Sequence, residues 1–309
     1  MIDIFKGAMK IIMSNVIMVF MFYYMMIVCF NRGNSTETTQ LKNGTNYTGK
    51  HMVITVMPLG DSITAGGGIN PDGSRSSGYR LTFYTNVTSS GINVHMQGVY
   101  NPQSRNQDGF CPYLYQRNEN SNNGYPGYTS GDILANLAGQ KQAAFVSITN
   151  QGGYWLAGKK EIGRMPFYPD FVLLMVGIND LGKNIPLGDP ASVGTLEGNM
   201  AEILGWFRTN RPSARILVGT LLPTTHSKIN EKVDIYNAWL ASYIINFSSC
   251  QLVDTHAVFM DGDVVKKDYL LSDGTHPTIK GYVALGNAWA KSFKVASGII
   301  WQEQTNKPE

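Results

Sequence analysis

The chain has 309 residues, enough for one large domain or two small ones, and its first fifty residues differ in composition from the rest. Lys and Arg number 25 against 22 for Asp and Glu, and the basic residues form no run. Proteins that bind nucleic acids carry a basic surface, so the sequence predicts no DNA or RNA partner.

The N-terminal region contains an apolar segment, IIMSNVIMVFMFYYMMIVCF, at residues 11–30, preceded by Lys6 and Lys10. Its length is close to that needed to cross a bilayer. Residues 1–30 are therefore either a signal peptide or a signal anchor. The lack of a clear small-x-small cleavage site favours an anchor, although a cleaved signal needs only a modest match there. We expect a secreted or membrane-anchored protein whose main domain lies outside the cytosol.

Five N-x-S/T sequons follow the apolar segment, as expected for a chain that is exported and glycosylated. They begin at Asn34, Asn43, Asn46, Asn86 and Asn246. Three of them lie in the polar stretch 31–50, which has the composition of a glycosylated stalk.

The chain has three cysteines, of which Cys29 lies inside the apolar segment and is interpreted as apolar filler. Cys111 and Cys250 are far apart in the body of the chain. They form either one disulfide in an oxidising compartment or two buried free thiols, and the sequence leaves both alternatives open.

From His51 onward, short apolar runs alternate with longer segments of helical period, which is typical of a parallel sheet wrapped by helices. The predicted strands are MVITVMP from Met52, INVHMQG from Ile92, FVLLMVG from Phe171, RILVGTLLP from Arg215 and CQLVD from Cys250. The predicted helices cover residues 78–88, 130–144, 195–209, 230–247 and 278–297, and residues 101–128 are predicted to be a long loop.

This alternation predicts a three-layer α/β/α sandwich with a mostly parallel central sheet, of the flavodoxin-like kind, over residues 51–297. A tail of residues 298–309 follows it.

Ser62 is the candidate nucleophile, because Gly60-Asp61-Ser62-Ile63 directly follows the first predicted strand. A serine at a strand-to-helix turn presents its hydroxyl at the mouth of the sheet and has its own N–H at a helix N-terminus. The tripeptide Gly-Asp-Ser alone is a weak signal, since a serine in this position is commonly a helix cap.

His276 and Asp273 supply a base and its orienting carboxylate within Ser272-Asp273-Gly274-Thr275-His276-Pro277. The three-residue spacing lets Asp273 reach one imidazole nitrogen while the other faces the serine. Pro277 is placed to open the next helix, so His276 is expected on a loop. Taken alone, the hexapeptide also fits a helix-capping Asp and a surface His.

Two further residues are candidates for an oxyanion hole. Asn179, after the Phe171 strand, can aim its side-chain amide at a developing oxyanion. Gly127, in Gly124-Tyr125-Pro126-Gly127-Tyr128, lets a backbone N–H approach the same oxygen without an intervening side chain. Separately, each is also typical of an ordinary turn.

Aromatic residues and one further histidine surround these motifs in the sequence. Tyr125, Tyr128, Tyr154 and Trp155 form either a platform for a sugar ring or part of the core. His226 is a candidate for the rim of the pocket. No metal site is expected, since the other histidines have no partner at a metal-like spacing.

These four motifs, in this order and on this strand pattern, resemble the SGNH (GDSL-like) hydrolase superfamily over essentially the whole body of the chain. The resemblance is greatest to the acetylxylan-esterase branch of the carbohydrate esterases. It rests on the Gly124 motif and on the segments Gly60-Asp61-Ser62-Ile63-Thr64, Gly78-Tyr79-Arg80, Gly177-Ile178-Asn179-Asp180 and Asp273-Gly274-Thr275-His276-Pro277-Thr278.

The resemblance implies an SGNH hydrolase domain at residues 51–297 with Ser62 as nucleophile, His276 as base and Asp273 as orienter. It also implies an oxyanion hole made by the N–H groups of Ser62 and Gly127 and the amide of Asn179. No metal or organic cofactor is required, and Asp61 and Asp180 hold their loops. Thr64 replaces the second glycine of the Gly-x-Ser-x-Gly elbow, which argues against an α/β-hydrolase fold.

Three functions fit this pattern. The leading hypothesis is removal of acetyl groups from a polysaccharide such as acetylated xylan through an acyl-enzyme on Ser62. A second is a lipid-directed esterase or lysophospholipase of the same superfamily, and a third is a catalytically silent glycan-binding ectodomain. The complete set of Ser62, Asn179, Asp273 and His276 speaks against the third, because a binding module does not need all four.

The position of the sequons after residues 11–30 generates a first prediction. Expression in a eukaryotic host should give a glycosylated protein whose electrophoretic mobility increases after treatment with an endoglycosidase. A deletion of residues 1–30 is the control, because it should leave the chain unglycosylated. A full-length chain that stays in the cytosol without glycans would contradict the predicted export.

Overall fold

The computed structural model describes residues 53–298, except for 68–75, 103, 105, 106, 108, 138–166 and 193. The described residues all lie within one compact unit, His51–Glu309. The apolar segment 11–30, its Cys29 and the sequons at Asn34, Asn43 and Asn46 lie outside the described residues and stay predictions, as does nearly all of the 298–309 tail. In the part of the chain that is described, no helix has the length and apolar character needed to cross a membrane.

The strands and helices alternate along the chain. The strands are β1 (Ile54–Gly60), β2 (Val94–Met96), β3 (Asn123–Gly124), β4 (Phe171–Met175), β5 (Arg215–Gly219), β6 (Cys250–Val253), β7 (Met260–Asp261) and β8 (Val264–Val265). The α-helices are α1 (Ser62–Ala65), α2 (Arg80–Thr88), α3 (Pro112–Gln116), α4 (Ser130–Leu137), α5 (Ile178–Gly182), α6 (Leu196–Asn210), α7 (Ser227–Ile244) and α8 (Ile279–Ala296), and 3₁₀ turns cover Ala257–Phe259 and Lys267–Tyr269.

The central sheet is parallel and has the order β2-β1-β4-β5-β6. β3 also pairs with β1, in parallel, next to the last two residues of β1. The chain runs from β1 to β2 in one direction across the sheet and from β4 to β6 in the other. Because parallel crossovers are right-handed, this reversal places the connecting helices on opposite faces.

The helices cover the sheet accordingly. α2 packs against α8, while α4 packs against α6, and α6 packs in turn against α7. All five residues of β4 are buried, which a strand covered on both faces requires. The prediction of a three-layer α/β/α fold with a mostly parallel sheet is therefore confirmed.

The core between α2, α8 and the sheet is aromatic. Trp289 of α8 is fully buried and lies 5.7 Å from the ring of Tyr79. Phe293, one turn further along α8, contacts Phe83 edge-on at 5.3 Å. Edge-on and offset aromatic contacts add to the free energy gained by burying the rings, so this layer holds α8 against α2.

Caps determine several helix starts. Asp61 accepts the Ile63 N–H at the start of α1, Thr195 accepts the Gly198 N–H at the start of α6, and Thr278 accepts the Gly281 N–H at the start of α8. Such side-chain caps satisfy N–H groups that have no partner within the helix. Pro277 thus precedes the cap of α8 instead of opening the helix.

The predicted boundaries differ from the structure in a few places. The Ile92 strand is shorter, covering only Val94–Met96, and the helix predicted at 230–247 begins three residues earlier at Ser227 and ends at Ile244. Of the predicted helix 130–144, Ser130–Leu137 is described as helical. The 101–128 loop contains α3 and β3, which are too short and too polar to give a periodic signal.

Cys111 and Cys250 are free thiols, so the disulfide alternative is wrong. Cys250 begins β6 at one edge of the sheet. Cys111 precedes α3, in a segment whose Gly109 carbonyl is joined by Arg80 to Ala65, at the end of the short helix that follows β1. β1 and β6 are three strand spacings apart, about 14 Å, which exceeds the reach of a disulfide.

The two described sequons differ in their surroundings. Asn86 lies within α2, and its side-chain amide donates to Asn287 of α8 at 2.6 Å. Asn246 is exposed in the turn after α7. Glycosylation of both sites stays a prediction, and Asn246 is the more accessible of the two.

Candidate active site

Ser62 is the first residue of α1 and lies two residues beyond the end of β1. Asp61 caps the helix through a 2.9 Å bond from the Ile63 N–H. The N–H groups in the first turn of a helix have no partner within it, so the Ser62 N–H stays available to an external oxygen. The side chain of Ser62 is partly exposed, as a nucleophile must be.

Ser62, His276 and Asp273 form a continuous hydrogen-bonded chain. Ser62 Oγ lies 2.8 Å from His276 Nε2. His276 Nδ1 lies 2.8 Å from Asp273 Oδ2. With Nδ1 protonated and donating to the carboxylate, Nε2 has a lone pair that can accept the serine proton. The structure thus brings together three side chains that the sequence places up to 214 residues apart.

Backbone donors hold the Asp273 carboxylate in the ionised form. Its Oδ1 accepts the N–H groups of Thr275 and His276, each at 2.9 Å. Partial burial opposes ionisation, but these two N–H groups and the His276 ring outweigh it, so the pKa of Asp273 lies below its usual value. Asp273 therefore presents an ionised carboxylate to the His276 ring.

A second segment, 224–226, holds the 273–276 loop from outside. The Thr225 N–H donates to the Gly274 carbonyl at 2.9 Å. The exposed ring of His226 places Nε2 3.2 Å from the Asp273 carbonyl oxygen. His226, predicted for the pocket rim, thus contacts the backbone of the loop that carries the orienting carboxylate.

Gly127 lies in a tight turn beside the end of β1. The Tyr128 N–H donates to the Tyr125 carbonyl at 3.1 Å, and the Tyr125 N–H donates to the Gly60 carbonyl at 2.9 Å. The φ of Gly127 is +78°, a conformation that favours glycine, and an added Cβ would meet no described atom within 4 Å. The space beside Gly127 is therefore open to a substrate.

α5 follows β4 and binds this turn through two adjacent side chains. Asn179 Nδ2 donates to the Tyr128 carbonyl at 2.9 Å, which uses one of its two N–H groups. The Asp180 carboxylate accepts the Ser130 N–H at 2.9 Å and the Ser130 hydroxyl at 2.5 Å. Asn199 donates in turn to the Ser130 oxygen at 3.0 Å. Gly127 and Asn179 are thus brought together through the Tyr128 carbonyl.

Two buried carboxylates lie beneath the site. Burial raises the pKa of Asp61 to about 7, because one N–H donor and the nearby His276 offset the loss of water only in part. Burial also raises the pKa of Asp180 to about 6 against the opposing effect of the Ser130 hydroxyl and N–H. Asp61 caps α1, and Asp180 joins α5 to Ser130, the first residue of α4.

Arg80 is a structural residue whose contacts the sequence did not reveal. It is fully buried, and its guanidinium donates to the carbonyls of Asn120, Ala65 and Gly109. Burial lowers the pKa of Arg80 to about 10. Arg80 therefore ties the residue that ends α1 to the long loop 101–128. Its only sequence signal is the Gly78-Tyr79-Arg80 motif.

The proposed aromatic platform is not formed by its described members. Tyr125 and Tyr128 stack on each other with ring centroids 5.0 Å apart, and both are buried, so neither offers a face to a sugar. Tyr154 and Trp155 lie outside the described residues.

A groove of about 660 Å³ opens between α4, α6 and α7. None of the candidate site residues lines it; its walls are Leu134, Ala201, Glu202, Gly205, Trp206, Thr209, Asn210 and Tyr243. Within the described part of the chain, no cluster of three His, Cys, Asp or Glu side chains has a metal-binding arrangement.

Sequence comparison identifies a matching family. A sequence model described as the GDSL-like Lipase/Acylhydrolase family matches residues 59–284, well over half of the chain. A multidomain esterase of Ruminococcus flavefaciens is 28% identical over 254 residues. That alignment covers 78% of this chain and 28% of the relative, so the chain spans little more than a quarter of the relative's length.

Solved structures share the fold. The family 3 carbohydrate esterase of Clostridium thermocellum superposes with a TM-score of 0.55 at 21% identity, covering 80% of this chain and 99% of that one. A family 3 carbohydrate esterase from Talaromyces cellulolyticus superposes with a TM-score of 0.53 at 20% identity, covering 78% and 96% of the two chains.

Gly274 provides a test of the loop that carries Asp273. Its φ is +71°, and an added Cβ would lie 1.9 Å from Thr225 Oγ1. Gly274→Ala should push the loop away from segment 224–226 and lower kcat/KM for ester hydrolysis by about 10- to 100-fold, since small displacements of reacting groups are costly.

Gly262→Ala is the matched control, because Gly262 has a φ of +57° but an added Cβ meets no described atom within 4 Å. Thermal denaturation should show a comparable backbone penalty of about 1–2 kcal/mol in both variants, with activity lost only at Gly274. Adding Thr225→Ala to Gly274→Ala should restore part of the activity. Equal activity of the two glycine variants would contradict the proposed contact.

Proposed function

Because the chain belongs to the GDSL-like lipase/acylhydrolase family, a family of carboxylic ester hydrolases, we propose that it is a serine esterase that removes acetyl groups from a polysaccharide such as acetylated xylan. The observation that carries this proposal is the hydrogen-bonded chain from Ser62 through His276 to Asp273, with both contacts at 2.8 Å. A nucleophile, a base and an orienting carboxylate in this arrangement are the requirements of acyl transfer.

In the first half-reaction, Ser62 Oγ attacks the ester carbonyl carbon while His276 Nε2 takes the hydroxyl proton. The negative Asp273 stabilises the imidazolium that forms and keeps its Nδ1–H directed away from the serine. When the tetrahedral intermediate collapses, the bond to the sugar oxygen breaks and His276 returns its proton to that oxygen. The products are the free sugar hydroxyl and an acetyl group on Ser62.

The second half-reaction repeats these steps with water. His276 accepts a proton from the water molecule, whose oxygen attacks the acetyl carbon, and then returns a proton to Ser62 Oγ as acetate leaves. In both halves the carbonyl oxygen becomes negative. We assign its stabilisation to the N–H groups of Ser62 and Gly127 and to the second N–H of the Asn179 amide.

The choice of a carbohydrate ester over a lipid ester draws on the neighbours in structure and sequence. The solved structures named above are carbohydrate esterases, and the Ruminococcus relative is an esterase. Hydrolysis of acetylated xylan oligosaccharides, measured as released acetate beside a lysophospholipid and an activated acetyl ester, tests it. If the lysophospholipid is hydrolysed and the oligosaccharides are not, the substrate is a lipid ester instead of a carbohydrate ester, and the serine mechanism is unchanged.

The compartment is also part of the proposal. We place the esterase domain outside the cytosol, secreted or tethered through residues 11–30, because the apolar run and the sequons that follow it agree with export. Acetylated plant polysaccharides are extracellular polymers, so this compartment is the one in which enzyme and substrate would meet.

Ser62 and His276 should act as one unit. Ser62→Ala and His276→Ala are each expected to lower kcat on an activated acetyl ester by about 10⁴-fold or more, and the double variant should lose little further, because removing either disables the same step. A fluorophosphonate probe should label the wild type and not Ser62→Ala. Losses that multiply in the double variant would show that the two residues have independent roles.

Asn179 can be separated from the nucleophile by its kinetic signature. Asn179→Ala should lower kcat by about 10²- to 10³-fold with KM little changed, because the amide acts mainly on charge that develops in the transition state. Asn179→Asp should be at least as damaging, since it places a negative charge beside the oxyanion. An increase in KM with unchanged kcat would make Asn179 a substrate-binding residue and remove it from the oxyanion hole.

A further inference from the structure

Lys183 bridges two of the three elements that carry the proposed oxyanion donors, the Gly127 turn and α5. It caps the C-terminal end of α5, where its backbone N–H donates to the Asn179 carbonyl at 3.0 Å. Its side chain reaches the neighbouring turn, and Nζ donates to the Gly127 carbonyl at 2.7 Å. One residue is thus bonded to Gly127 on one element and to Asn179 on the other.

Asn179 and Lys183 lie four residues apart, so their side chains leave the same face of α5. The Asn179 amide binds the Tyr128 carbonyl and the Lys183 ammonium binds the preceding carbonyl, that of Gly127. Two successive peptide groups of the turn are therefore held by two side chains of one short helix. An ammonium donor makes a stronger bond to a carbonyl than a neutral amide does.

The Gly127 turn is open on one side. Gly127 is exposed, and no described atom lies within 4 Å of the position of an added Cβ, so the side that faces the substrate space is open. Lys183 Nζ holds the Gly127 carbonyl, and the bond from the Tyr125 N–H to the Gly60 carbonyl holds the start of the turn.

We infer that Lys183 is a positioning residue for the oxyanion hole: it holds the Gly127 carbonyl, and with it the turn that carries the Gly127 N–H, and it adds a positive charge beside the developing oxyanion. The inference rests on the proposed serine-esterase function. It adds to that function one residue, Lys183, whose side chain is exposed. Its charge acts mainly on the transition state, because the ester carbonyl becomes negative only there. The sequence offers no motif for this role, since a lysine after a short helix is usually a solvated surface residue.

The chain offers a matched control for the charge. Lys232 of α7 binds the residue that follows Lys183: its Nζ donates to Asn184 Oδ1 at 3.2 Å, and it makes no described hydrogen bond to the Gly127 turn. Lys183→Met and Lys232→Met each remove one positive charge from this region. The two variants therefore differ in the contact with Gly127 and share the change in net charge.

On an activated acetyl ester, Lys183→Met should lower kcat by about 2- to 10-fold with KM unchanged, the range expected for an exposed charge-assisted contact. Lys232→Met should match the wild type, and Lys183→Arg should recover most of the lost kcat. Thermal denaturation of all four proteins should coincide, because the Lys183 side chain is exposed.

Ionic strength distinguishes a charge effect from a packing effect. The ratio of wild-type to Lys183→Met kcat should shrink between about 0.02 M and 0.5 M NaCl, over which the Debye length falls from about 20 Å to about 4 Å. A ratio that is independent of salt, a loss confined to KM, or equal kcat for Lys183→Met and Lys232→Met would overturn the inference.

Ser62→Ala, assayed in the same series, distinguishes a failure of the Lys183 role from a failure of the esterase proposal. Loss of activity in Ser62→Ala without the expected effect at Lys183 overturns the role of Lys183 and leaves the esterase proposal standing. Full activity in Ser62→Ala overturns both.

Discussion

The parallel pairing of β1 with β4 is the constraint on which the site depends. Gly60, the last residue of β1, is in register with Met175, the last residue of β4, so the two strands end side by side. Ser62 follows the first and Asn179 follows the second within a few residues. β3 pairs with the end of β1 on its other side, which brings the Gly127 turn to the same edge. The chain adds strands to the sheet in one direction from β1 to β2 and in the opposite direction from β4 to β6. The carboxyl ends of β1 and β4, where this order reverses, form a crevice open to ligands.

His276 reaches this edge by a different route. His276 does not follow a strand of the sheet; it lies on the loop before α8, and its position depends on where that helix packs. Burial of Trp289 against Tyr79 fixes α8 on the face that also carries α2. The loop itself is held by its own Asp273 and by Thr225. The 2.8 Å distance between Ser62 Oγ and His276 Nε2 therefore depends on how α8 packs against the sheet and α2.

Three carboxylates near the site differ in their environment and hence in their charge. Asp61 and Asp180 are buried, and burial raises the pKa of each toward neutrality. Asp273 is half-exposed and accepts two backbone N–H groups, which hold its pKa below the usual value. Asp273 thus presents an ionised carboxylate to the His276 ring, while the buried Asp61 caps α1 through Ile63 and the buried Asp180 holds Ser130 at the start of α4.

Local patterns in the sequence predicted the layered fold, the strand-to-helix turn at Ser62 and the reach of Asp273 to His276, because each depends on periodicity or on residues within three positions of one another. Tertiary structure decided which distant groups meet. The contacts and burial decided in this way are the Lys183–Gly127 bond, the Asp180–Ser130 pair, the three carbonyls bound by Arg80, the burial of Tyr125 and Tyr128, and the separation of Cys111 from Cys250. A polar residue has the same local signature in solvent as in a contact, so only the packing of strands and helices could distinguish the two.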